Sequence, residues 1–85
     1  MFVQINREHD EKYIYQQIYE VIKNQILQRI LAVHEKLPSK RQLATQLQVS
    51  VNSVTLAYEQ LLAEGYIYTI ERSGYFVEEI MLFDF

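Results

Sequence analysis

The residues in this 85-residue chain best suited to chemistry are Lys40, Arg41, Ser50, Val51, Asn52, Ser53, Thr55, Arg72 and Gly74. Lysine and arginine donate to phosphate oxygens, and such contacts set affinity without reading sequence. A side-chain amide such as that of Asn52 can bind adenine N6 and N7 together, and the hydroxyls of Ser50, Ser53 and Thr55 can donate or accept at base edges. Val51 has nothing to donate; it can touch a thymine methyl or lie against a sugar. An arginine beside a glycine, as at Arg72 and Gly74, suits a narrow minor groove. This is the chemistry of recognition. Bond-making chemistry lacks its parts: there is no nucleophile–base set, and two glycines are too few for a phosphate-cradling loop. With no cysteine, and with His9 and His34 far apart and without a carboxylate at ligand spacing, no metal set is expected either.

Such residues work together only if the fold presents them on one side, and the apolar pattern indicates how. Ile14, Ile18, Val21, Ile22, Ile26 and Ile30 recur at helical spacing, which predicts an amphipathic helix from Tyr13 to about Leu31. Before it lies a polar arm, with a short extended piece over Phe2–Ile5 and with Asp10 and Glu11 where a helix N-terminus favours negative charge. Residues 32–37 read as a short connection, and Leu37-Pro38 stops any helix before Ser39.

Ser39 and Gln42 match a capping box, so a short second helix opens at Ser39 and buries Leu43, Ala44 and Leu47. Gln48 and Val49 make the turn. Ser50 caps a third helix through the amide of Asn52 or Ser53. That helix runs to Glu64, buries Val54, Ala57, Tyr58, Leu61 and Leu62, and stops at Gly65. Tyr66–Glu71 and Tyr75–Val77 suit strands, joined by an Arg72-Ser73-Gly74 loop.

The fold class is therefore mainly α with a small β-hairpin: a winged helix-turn-helix of three helices plus a wing. In that layout the third helix can lie in a DNA major groove, exposing Ser50, Asn52, Ser53 and Thr55, while the hairpin reaches the adjoining backbone or minor groove. Ser39 is then a cap rather than a contact, and Ser50 is chiefly a cap whose backbone amide can also meet a phosphate. Tyr13, Tyr15, Tyr19, Tyr58, Tyr66 and Tyr68 invite comparison with a base-stacking platform. Their helical and strand spacing explains several of them better as core.

Composition sets the scale. At 49% hydrophobic, with seven Tyr and four Phe, the chain can build one small core, of a size that often draws stability from a partner or a second domain. It has no cysteine, no signal-peptide start and no apolar run near the roughly 18 residues of a membrane span, so a cytoplasmic protein that engages no membrane is expected. The net charge of −3 opposes nucleic-acid binding and sustains the alternative of a winged helix used for protein contacts. The acids gather near the ends, however, at Glu8, Asp10, Glu11, Glu78, Glu79 and Asp84, whereas Lys36 to Ser50 holds only Lys36, Lys40 and Arg41. Screening over about 8–10 Å lets such a patch act locally, although its thinness predicts weak binding by one copy. The expected organisation is an arm over 1–12, the DNA-binding domain over 13–78, and over 79–85 the start of a linker. The apolar tail Ile80-Met81-Leu82-Phe83 suggests that the natural protein continues into an effector domain absent from this chain.

From about Tyr15 to Val77 the chain resembles the DNA-binding domain of the GntR family of bacterial transcription regulators. The motifs are Tyr15-x-Gln17-Ile18, Leu37-Pro38-Ser39-x-Arg41-x-Leu43-Ala44, Val49-Ser50-x-Asn52-Ser53-Val54, Ala63-Glu64-Gly65-Tyr66 and Ser73-Gly74-Tyr75-Phe76-Val77. The resemblance implies double-stranded DNA as partner, a homodimer in the full-length protein, and Arg41 as a phosphate- or base-contacting arginine. Ala57-Tyr58-x-x-Leu61 and Glu64-Gly65-Tyr66 resemble the MocR branch, where an aminotransferase-like domain carries pyridoxal phosphate; that cofactor belongs to a domain absent here, and none is implied within this chain. The YtrA-like branch, with a short helical tail, is the second resemblance. Two departures stand out. The family usually has arginine where this chain has Val51, which removes a guanine donor, and Gln48 stands where glycine is common in the turn.

Overall fold

The apolar stripes fold as three helices and one hairpin among the described residues, which are 1, 3–7 and 11–81 of a computed structural model. The helices are α1 (Glu11–Leu27), α2 (Lys40–Leu47) and α3 (Val51–Ala63); the strands are β1 (Ile67–Ile70) and β2 (Gly74–Val77). The strands pair antiparallel, with Ile67 opposite Val77 and Ile70 opposite Gly74. α3 packs against both other helices. The core between them takes Ile18, Ile22 and Ile26 from α1, Leu43 and Ala44 from α2, and Val54, Ala57, Tyr58 and Leu61 from α3. Ile67 and Val77 close it from the hairpin. Leu47 and Leu62 are half-buried at its margin. Phe2, His9, Asp10 and the tail 82–85 lie outside the described residues. Of the remaining tail, Ile80 packs partly against the core while Met81 is exposed.

The helix starts follow local chemistry. Ser39 Oγ accepts from the Gln42 amide at 3.1 Å, and Gln42 Oε1 accepts from the Ser39 amide at 2.9 Å, which completes the expected capping box. Ser50 Oγ accepts from the Ser53 amide at 3.1 Å.

The helix ends share one geometry, a left-handed residue with crossed backbone bonds behind it. After α3, Gly65 takes φ +80°, with Tyr66 N–H donating to Leu61 O at 2.9 Å and Gly65 N–H to Leu62 O at 3.2 Å. After α2, Gln48 takes φ 56°, with Val49 N–H donating to Ala44 O at 3.0 Å and Gln48 N–H to Thr45 O at 3.3 Å. After α1, Arg29 takes φ 61°, with Ile30 N–H donating to Gln25 O at 2.9 Å and Arg29 N–H to Ile26 O at 3.2 Å.

That last reversal corrects the expected extent of the first helix, which ends at Leu27 rather than near Leu31. Ile30, expected on the apolar face, is 63% exposed, and Leu31 turns inward instead at 1%. Arg29 is held by its guanidinium, which donates to Ile80 O at 2.9 Å. The connection that follows also does more than connect. His34 N–H donates to Val77 O and Leu37 N–H to Tyr75 O, each at 2.8 Å, and Val77 N–H donates to Glu35 O at 2.9 Å, so residues 34–37 lie along β2. In the hairpin the loop is Glu71–Ser73, closed by Ser73 N–H to Ile70 O at 3.0 Å, and Gly74 begins β2 rather than ending the loop.

At the junction of α1 and α3 the Tyr19 hydroxyl donates to Glu64 Oε1, and Gln60 Nε2 donates to Glu64 Oε2 at 3.1 Å. These bonds hold the Glu64 carboxyl below its ordinary value, the Tyr19 bond most of all. Burial, followed by the Glu64 bond, pushes the Tyr19 phenol up. A carboxyl whose pKa is lowered by folding contributes stability that is present above its unfolded value and lost as pH falls through the folded one. Glu64→Gln should therefore lower stability at neutral pH and reduce the loss on acidification below about pH 4.5, read from thermal melts across an acid series. A second expectation concerns the turn. Because left-handed backbone costs a non-glycine residue about 1–2 kcal/mol, partly offset by glycine's greater unfolded-state entropy, Gln48→Gly should stabilise by roughly 0.5–1 kcal/mol in urea titration.

Candidate nucleic-acid interface

α2 and α3 are joined by three residues, Gln48–Ser50, so the start of α3 emerges directly beside the end of α2. The buried face of α3 is Ser53, Val54, Ala57, Tyr58 and Leu61. What remains outward in its first two turns is Val51, Asn52 and Leu56, with Thr55 half-buried at the edge. Asn52 and Leu56 stand one turn apart on the same face. Between Lys36 and Tyr58 the sequence has no acidic residue, and Glu59 is the first carboxylate of the helix. The positive end of the α3 dipole and the open first-turn amides point the same way as these side chains.

On α2, Arg41 is exposed and Lys40 half-buried in the first turn, so both cations stand at that helix's N-terminal end. In the wing, Arg72 is exposed at the loop with φ 67°. Gly74 has φ +136°, and a Cβ there would come within 3.3 Å of Lys36 Cε. That position thus needs glycine for its backbone alone.

One expected site residue is placed differently. Ser53 lies on the Ala57 side of α3 and is 2% exposed, with its hydroxyl 3.0 Å from that of Ser50. The pair completes the cap, and Ser53 is thereby removed from the exposed surface. Val51 is 43% exposed and is not packed beneath α2. The tyrosines divide as core and margin: Tyr58 and Tyr19 are buried, Tyr15, Tyr66 and Tyr68 half-buried, and Tyr13 exposed. Tyr68 stacks on Phe76 at 5.7 Å and shares a 2.8 Å hydrogen bond with His34 Nδ1, which accounts for it within the wing.

The arrangement of three helices and a hairpin is also found in known proteins. Residues 14–77 match the family described as "Bacterial regulatory proteins, gntR family". This chain belongs to the GntR family. It is 48% identical over 65 residues to the HTH-type transcriptional regulator YdeL of Bacillus subtilis, which is 76% of this chain and 14% of that protein. It is 39% identical to the HTH-type transcriptional repressor YtrA of B. subtilis, over 78% of this chain and 51% of that protein. Among solved structures, YtrA from Sulfolobus acidocaldarius superposes with a TM-score of 0.84 at 33% identity, covering 95% of this chain and 84% of that one. The AraR DNA-binding domain in complex with operator ORE1 superposes with a TM-score of 0.69 at 25% identity, covering 91% and 93%. The chain thus spans a small part of YdeL and about half of the B. subtilis YtrA.

Two residues of this chain are not marked by the local sequence pattern as part of the surface around α3. Arg7 donates from Nη1 to Gln48 O at 3.1 Å and from Nη2 to Leu47 O, so the arm caps the end of α2. Nothing in the local sequence marks a bond across that separation. Leu56 is 40% exposed, although a leucine at helical spacing is ordinarily counted as core. It falls between the buried positions Ser53, Val54 and Ala57, Tyr58, on the line of Asn52.

With Val51 outward, Val51→Arg should fold and melt as the parent does, since the cation stays in water. In selection from random duplexes the variant should gain a guanine preference, worth about 1–3 kcal/mol for a bidentate pair, together with a general rise in affinity.

Proposed function

We propose that this GntR domain reads double-stranded operator DNA in a sequence-specific manner as the reader domain of a bacterial transcription regulator, with the start of α3 in the major groove and the wing at the neighbouring minor groove. The observation that carries the reading is the exposed Val51–Asn52–Leu56 surface at the capped start of α3, within a stretch free of acids. Arg41 and Lys40 then meet phosphates, Asn52 meets an adenine edge, Ser50 and Thr55 flank it, and Arg72 with Gly74 serves the wing. Few cations face the DNA, so one copy binds weakly and a homodimer on paired half-sites binds far better through effective concentration. The setting is cytoplasmic; in the described residues no helix is long and apolar enough to cross a membrane.

The full-length arrangement we favour is MocR-like, with pyridoxal phosphate held in an aminotransferase-like domain beyond this chain. Ala57-Tyr58 and Glu64-Gly65-Tyr66 support it, as does the small share of YdeL that the chain spans. A YtrA-like arrangement with a short tail has equal support from the two YtrA matches. The sequence that follows Phe85 in the gene decides between them. Use of the winged helix for protein contacts draws on the net charge of −3.

Arg41→Ala and Asn52→Ala separate the two kinds of contact. Loss of Arg41 should weaken binding on every duplex and reduce the salt slope by about one unit. Loss of Asn52 should cost about 1–3 kcal/mol on the selected site and little on random DNA, both read by gel-shift titration. Parental binding by both folded variants would move the domain to the protein-contact reading.

A further inference from the structure

We propose that Leu56 is a specificity residue that reads the C5-methyl group of a thymine, beside the base contacted by Asn52. The inference rests on the DNA-reading function above and names a determinant within it.

Leu56 is 40% exposed and Val51 43% exposed, and the other exposed large apolar side chains among the described residues, Met1, Tyr13, Ile30, Ile70 and Met81, all lie outside α2 and α3. The two helices of the helix-turn-helix therefore show apolar surface to solvent at one place, the outward start of α3. Asn52 and Leu56 share a face one turn apart, and one turn further that face ends in Glu59, which a phosphate backbone would repel. The portion of α3 able to enter a groove thus runs from Val51 to Leu56.

A leucine placed there is desolvated against whatever it meets. The bases present mostly donors and acceptors in the major groove, and the one alkyl group there is the thymine C5-methyl. Against an amino group or a ring nitrogen, the leucine would strip water from a polar atom and supply no bond. Against a methyl it buries apolar surface on both sides. Four helical residues rise about 6 Å, so the thymine lies within about two base steps of the adenine paired with Asn52. Leu56 is outside the core cluster, which keeps the test free of unfolding.

The experiment begins with the 85-residue chain and selection of duplexes from a random pool. Each thymine of the selected site is then replaced singly by uracil, which pairs identically and lacks the methyl. The expected result is a loss of about fourfold at one thymine for the parent, the effect of one buried methyl. Leu56→Ala should lose a similar factor on the thymine duplex, show no further loss with uracil at that base, and melt like the parent. Uracil tolerated at every position, or sensitivity unchanged in Leu56→Ala, would overturn the assignment while leaving operator reading intact. Failure to select any duplex, both by the single chain and by two copies of it joined through a flexible linker, would reject operator reading itself. If the parent chain self-associated in sedimentation and Leu56→Ala abolished it, the face would belong to a protein partner.

Discussion

The Tyr58 side chain ties together every element that faces the proposed DNA. Its ring is fully buried on α3, its hydroxyl donates to Pro38 O at 2.7 Å, and Tyr75 of β2 meets its ring edge-on at 4.9 Å. Pro38 immediately precedes the cap of α2, so that bond sets where α2 begins relative to α3. Tyr75 sets the wing against the same ring. Burial pushes the Tyr58 phenol up, which keeps it protonated and donating wherever the domain works. An aromatic–aromatic contact and a half-buried hydrogen bond from one side chain thus fix the angle between α3, α2 and the hairpin.

Around that hub, the chain reverses direction by the same device three times, at Arg29, Gln48 and Gly65. Only Gly65 is chemically suited to left-handed backbone, and the other two reversals are held by tertiary bonds. Arg29 reaches Ile80 O, and the carbonyls of Leu47 and Gln48 receive Arg7 from the arm. The arm is itself fastened: the Asn6 amide donates to Gln17 Oε1 at 2.7 Å and Gln17 Nε2 donates to Asn6 O at 3.0 Å. Val3 and Ile5 pack beneath it. The arm therefore belongs to the helix-turn-helix mechanically, bracing the turn that leads into α3.

The acidic balance of the whole chain and the cationic character of its reading face coexist because the charges are segregated. Acids cluster toward the ends of the sequence, and the stretch from Lys36 to Tyr58 has none. What the face lacks in cations it makes up in shape and in side-chain chemistry: an amide at Asn52, apolar groups at Val51 and Leu56, and a cap that keeps the first turn of α3 regular. In the proposed function such a face discriminates among bases more than it grips the backbone, which suits the paired binding proposed above.

What the sequence determined by itself was everything governed by near neighbours. The capping box at Ser39, the cap at Ser50, the glycine stop at Gly65 and the apolar stripes of three helices depend on residues three or four apart, and the fold class followed from them. Arg41 and Asn52 were placed outward by the same periodicity, and Arg72 by its position in the hairpin loop. Tertiary structure decided the rest. Helix one ends early because burying Leu31 and tying Arg29 to Ile80 outweigh the continued apolar spacing to Ile30. Residues 34–37 become a third rung because β2 offers them unpaired backbone groups. Ser53 turns inward because the packing of α3 against two helices at once sets its rotation, and a heptad-scale pattern fixes that rotation only loosely. The physical reason is common to all of these: local rules choose the elements, but the angle at which an element meets its neighbours is set by contacts made across the chain.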